Sequence, residues 1–123
     1  MKHFFVFTSI FLLPFISHSQ KHTILGAEVA KEELKKALTE KRERQVIVDK
    51  VITDRQTAIA VAEAILFKIY GRAQIVNERP YETYFINGYW VLNGTLPEKM
   101  LGGGFLIVLN AKDGRVVRLT HYK

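Results

Sequence analysis

An α+β fold, with a curved antiparallel sheet of two hairpins packed on a long helix, follows from three observations in the 123-residue sequence. Apolar residues recur with helical spacing from Ala58 to Tyr70. After Gly71 the repeat shortens to about two residues, the period of a strand. Two turn pairs, Asn87-Gly88 and Asp113-Gly114, then divide the remaining apolar segments into hairpins. Helices gathered on one face of such a sheet bury both apolar surfaces at once.

The helix spans residues 54–70. Thr53 or Asp54 can cap it, with Gln56 at the capping-box position from Thr53, and Gly71 stands where a left-handed terminating residue is wanted. Ala58, Ile59, Ala62, Ile65, Leu66, Ile69 and Tyr70 form one broad face, which predicts a core-facing side. Phe67 falls away from the centre of that face and needs cover from elsewhere in the chain.

Strands are expected over 81–86 and 89–96, because Asn-Gly suits the positive φ angles of a tight type I′ turn. Counting outward from the turn pairs Ile86 with Tyr89, Phe85 with Trp90, Tyr84 with Val91 and Thr83 with Leu92. Thr83, Phe85, Trp90 and Leu92 then share the face against the helix. Tyr84, Ile86, Tyr89 and Val91 share the other, which is unusually apolar for a wet surface. A second hairpin joins Phe105–Leu109 to Arg115–His121. Gly102-Gly103-Gly104 leads straight into a strand, so it signals a bulge, a bend or a close backbone approach and not a phosphate loop, which needs a helix N-terminus.

Ahead of this domain, residues 27–44 alternate charge signs over a thin apolar stripe. Glu32 lies four before Lys36 and Glu40 four before Arg44, the favourable order for helical pairs. A narrow face gains little by docking, so residues 20–45 read as a helical arm and 46–123 as the α+β domain. Val46, Ile47 and Val48 suggest a short strand or an extended approach to the core. Residues 1–19 read as a signal peptide: Lys2 precedes an apolar run of 13 residues from Phe4 to Ile16, and Ser17 and Ser19 bracket His18. That run falls short of the roughly 20 apolar residues that span a bilayer. Cleavage after Ser19 would leave 104 residues in the periplasm, with 17 basic and 12 acidic residues, and no stable membrane insertion. Cysteine is absent, so neither disulfides nor a lipid-modified cysteine contribute. The positive balance suits an acidic partner or a membrane surface, while nucleic acid is not expected outside the cytoplasm.

Several short motifs recur in order along the domain: Ala58-Ile-Ala-Val-Ala-Glu-Ala64, Ile69-Tyr-Gly71, Arg79-Pro-Tyr81, Gly88-Tyr-Trp-Val91, Gly94-Thr-Leu-Pro97, Gly102-Gly103, Lys112-Asp-Gly114 and Arg118-Leu-Thr-His-Tyr-Lys123. Over about residues 57–123 the set resembles the bacterial immunity proteins with a nuclear-transport-factor-2-like fold. The resemblance implies a cone-shaped, strongly bent sheet wrapped on a helix, and a chain that binds a cognate toxin and neutralises it by occlusion. Two departures stand out: a tyrosine between His121 and Lys123 where a small residue is expected, and an extra glycine in the run. A PepSY-like periplasmic inhibitory or regulatory module is the rival reading, since it too places a helix before short strands. The Gly-Tyr-Trp-Val and Gly-Thr-Leu-Pro segments favour the immunity family.

No catalytic constellation is evident. His22 and His121 are isolated in sequence, so no metal site or cofactor is expected, and Glu63 and Glu82 read as solvated charges. A cavity enzyme using Glu82 with Tyr84 or Tyr89 remains the less favoured alternative. Partner binding is expected of Tyr84, Tyr89, Val91, Arg118 and Tyr122, which combine the aromatic and arginine types enriched at interface hot spots. Cover of that face by the first helix is the competing expectation, and the oligomeric state is open.

Overall fold

A computed structural model describes residues 20–39 and 48–123. The chain divides between Arg44 and Gln45 into two compact units. In the first unit, α1 (Gly26–Thr39) has no buried residue, in keeping with its thin stripe. Its charge pairs run three residues apart, from Lys31 to Glu28 at 2.7 Å and from Lys36 to Glu33 at 2.9 Å. The expected Glu40–Arg44 pair and the residues Val46 and Ile47 lie outside the described residues, as does the 1–19 segment. Val48 is exposed and belongs to no strand.

The second unit is α+β. It contains α2 (Arg55–Tyr70), α3 (Arg72–Val76), and strands β1 (Glu82–Ile86), β2 (Tyr89–Asn93), β3 (Phe105–Asn110) and β4 (Val116–His121). The strands form one open antiparallel sheet in the order β1-β2-β3-β4. β2 pairs with β3, so the two hairpins are continuous. The β1–β2 register is the one that the turn demands: Ile86 opposite Tyr89, Phe85 opposite Trp90 and Thr83 opposite Leu92. Asn87 at φ 49° and Gly88 at φ 86° supply the two positive angles. β2 ends at Asn93, not residue 96: Gly94 still donates to the Phe105 carbonyl of β3, but Thr95 turns its N–H away to the Glu78 carbonyl. A bulge between Val108 and Leu109 shifts the β3–β4 register.

Asp54, not Thr53, caps α2, accepting the Thr57 N–H at 2.8 Å. Gly71 ends the helix at a positive φ of 88°, as expected of a terminating glycine, although ψ 143° lies outside the left-handed helical well, and it then serves as the N-cap of α3. The α3 turn was not expected from periodicity, because five residues are too few to display a helical repeat.

The core lies between α2 and one sheet face. Ala58, Ala62 and Leu66 meet Trp90, Leu92, Phe105, Ile107 and Leu109, all buried. The two alanines let the helix approach the sheet closely. Trp90 donates its indole N–H to the Ile52 carbonyl at 3.0 Å, so its one polar atom is satisfied inside. Phe85 sits on the expected face beside Trp90 but remains 46% exposed, with the Lys50 ammonium 5.1 Å from its ring centre. One expectation for α2 needs correction: Ile69, placed on the core face, is 54% exposed at the last turn. Phe67 has the cover expected of it, packing against the core with the Arg72 guanidinium 4.9 Å from its ring centre.

Candidate partner-binding face and a buried carboxylate centre

The pairing that buries Trp90 and Leu92 sends their neighbours outward. Tyr84 lies opposite Val91, Val91 opposite Val108, and Val108 opposite Arg118, so these residues make a row across all four strands on the outer face. Tyr89, paired with Ile86 and Asn110, stands one step along the same face. Tyr84 and Ile86 are each 52% exposed, and Arg118 is exposed. A shallow groove of about 360 Å³ runs among Ile86, Tyr89, Val91, Val108 and Val117. Four of the five expected contact residues, Tyr84, Tyr89, Val91 and Arg118, are therefore brought together. Tyr122 is exposed but follows the end of β4, where its N–H bonds the Gly104 carbonyl. Glu82 is exposed, as expected, and accepts a bond from the Tyr84 hydroxyl at 3.2 Å.

Two centres on the other side of the sheet escaped the sequence reading. Glu78 is fully buried. Its Oε2 accepts the Phe105 N–H at 2.8 Å, while Oε1 faces the Gln74 amide at 3.2 Å and His121 Nε2. His121 is thus paired and not isolated. Its Nδ1 lies 2.9 Å from the Tyr122 carbonyl, which only accepts, so that contact calls for the hydrogen on Nδ1. Space for the carboxylate comes from glycine. A Cβ at Gly94 would overlap Glu78 Oε2, and one at Gly104 would stand 3.0 Å from it. The close backbone approach expected of the glycine run occurs here, with Gly94 as its partner.

The other centre corrects the reading of Glu63 as a solvated charge. Its side chain is 16% exposed, and Oε1 takes the Arg79 Nε–H at 2.9 Å, a second Arg79 N–H, and the Tyr81 hydroxyl at 2.8 Å. Burial raises the Tyr81 pKa, which keeps the phenol a donor, and the hydrogen bond to Glu63 raises that of Arg79. Every buried side-chain polar atom among the described residues has a partner. No group of three or more metal-ligating side chains occurs among the described residues, and no described helix is long and apolar enough to cross a membrane.

The profile of the NTF2 fold immunity proteins matches residues 57–123, from the first turn of α2 to the end of β4. The chain belongs to that family. This immunity-family member also resembles two Escherichia coli K12 proteins. The uncharacterized protein YhhH is 29% identical over 82 residues, covering 66% of this chain and 65% of its own. The uncharacterized protein YbbC is 32% identical over 77 residues, covering 62% and 63% respectively. The chain therefore spans slightly less than two thirds of these relatives' lengths. No solved structure matches it.

Proposed function

We propose that this family member is exported, loses residues 1–19, and neutralises a cognate toxin in the periplasm by covering it, without turnover. The observation that carries the reading is the outer sheet face, where Tyr84, Ile86, Tyr89 and Val117 are exposed side by side with Arg118. An apolar patch of this kind marks an interaction surface, because aromatic groups left in water forgo the stabilisation that burial supplies. The family to which the chain belongs supports a toxin as the partner. Tyr84, Tyr89 and Arg118 are the expected anchors, with Val91 between them and Tyr122 beyond the end of β4. Binding costs about 2 kcal/mol or more for each anchor truncated to alanine.

The test is competition between a strain that delivers the cognate toxin, sought first among the products of neighbouring genes, and a recipient expressing wild type or the Tyr84→Ala/Tyr89→Ala/Arg118→Ala variant. Protection should be lost in the variant while its thermal unfolding stays close to wild type. Full protection by the folded variant would place the contact elsewhere. A wild-type chain that gives no protection would refute the toxin reading itself.

A further inference from the structure

The Arg79-Pro80-Tyr81 motif lines a second concave site, beside α2 and away from the outer face, that toxin covering does not use. Arg55, Ile59 and Glu63 complete a cleft of about 470 Å³, within the range of small-ligand sites. Its walls are apolar at Ile59, Pro80 and Tyr81, and its polar groups are two guanidiniums against one carboxylate. Glu63 and the Tyr81 hydroxyl hold the Arg79 guanidinium by its Nε and Nη2 edge. The Nη1 hydrogens have no partner among the described residues.

Arg55 supplies an independent sign. It is the first residue of α2, next to the Asp54 cap, and is exposed. Its one hydrogen bond among the described residues, from Nη2 to the Tyr81 carbonyl at 3.3 Å, turns it toward the cleft and leaves its remaining donors open.

We infer that the Arg55–Arg79 cleft binds a carboxylate carried on an apolar body, the carboxylate taken by the two guanidiniums and the body packed between Ile59, Pro80 and Tyr81. The net charge of the lining is positive once Glu63 is counted, and the held Arg79 fork presents planar donors that match carboxylate geometry. The pre-set rotamer reduces the entropy lost on binding. A small aromatic or aliphatic acid and an acidic residue beside an apolar one in a peptide present the same chemistry.

Nuclear magnetic resonance titration of the full chain with phenylacetate, with the neutral isostere 2-phenylethanol, and with acetyl-Phe-Glu-amide separates these sources. Saturable shifts at Ile59, Arg79 and Tyr81 are expected with phenylacetate and not with the alcohol. Saturation by the peptide in addition, at lower concentration, assigns the site to a protein ligand; saturation by phenylacetate alone assigns it to a small acid. Arg79→Gln should weaken binding about tenfold or more, the loss of a charged hydrogen bond. Arg115→Gln removes the same charge from the β3–β4 turn and should leave binding unchanged. Absence of saturable shifts with both acids, or equal weakening by both variants, would overturn the assignment. None of these readouts involves the toxin, so the result stands apart from the protection assay.

Discussion

A buried carboxylate is tolerated only where donors replace the water it has lost, and Glu78 draws three from three segments: Gln74 of α3, Phe105 of β3 and His121 of β4. Glu78→Ala strands the Phe105 N–H and the His121 ring together, and should cost about 3–5 kcal/mol in denaturant unfolding. Glu78→Gln keeps an acceptor for Phe105 and should cost less; equal losses would mean that the charge matters more than the bond. Gly94→Ala forces a methyl into the space of Oε2 and the Phe105 ring, and should cost about 1–3 kcal/mol or more for overpacking. Trp90 is 8% exposed and bonded to Ile52, so Trp90→Ala should cost about 3–5 kcal/mol. A loss below about 1 kcal/mol, a surface value, would contradict the burial.

At the scale of elements, α2 depends on its cap. The Thr57 N–H bond is the main reason why the Asp54 carboxyl lies below its ordinary value of 3.8. A folded-state pKa below the unfolded one means that the cap's contribution is complete above the ordinary value and disappears as pH falls through the folded one. Asp54→Asn, which can still accept the bond, should lower the melting temperature less than Asp54→Ala at pH 7, and the gap between wild type and Asp54→Ala should narrow as pH drops below 3.8. The hairpins were legible because an Asn-Gly pair sets register, and register sets which side chains share a face. That reasoning extended to Tyr84, Tyr89 and Val91, whereas Arg118 was chosen by residue type and its place on the same face depends on the β3–β4 register. It did not reach Glu63 or Glu78, because their partners Arg79 and His121 stand 16 and 43 residues away and no local pattern signals such pairing. Glycine was the one available trace: Gly94 and Gly104 make room for a side chain that neither adjoins in sequence. Ile69 was misplaced because helical spacing describes a direction from the axis, while burial also depends on where the sheet stops.

For the whole molecule, export is the property with the simplest readout. Intact mass of the protein from its native cell should correspond to a chain beginning at Gln20, and a mass that includes Met1 to Ser19 would refute cleavage. The meander has a kinetic implication as well. Every strand joins its neighbour along the chain, so sheet assembly closes only short loops, the condition for rapid folding. Several bonds span far greater lengths, among them Trp90 to Ile52 across 38 residues, His121 to Glu78 across 43, and the Val51 and Ile52 N–H groups to the Ala111 carbonyl. Loop closure disfavours such contacts early, so the carboxylate clasp is expected to form after the transition state: Glu78→Ala should accelerate unfolding in stopped-flow measurements while barely changing the folding rate. Glu78 and His121 would then govern how long a folded molecule persists, independently of how quickly it forms.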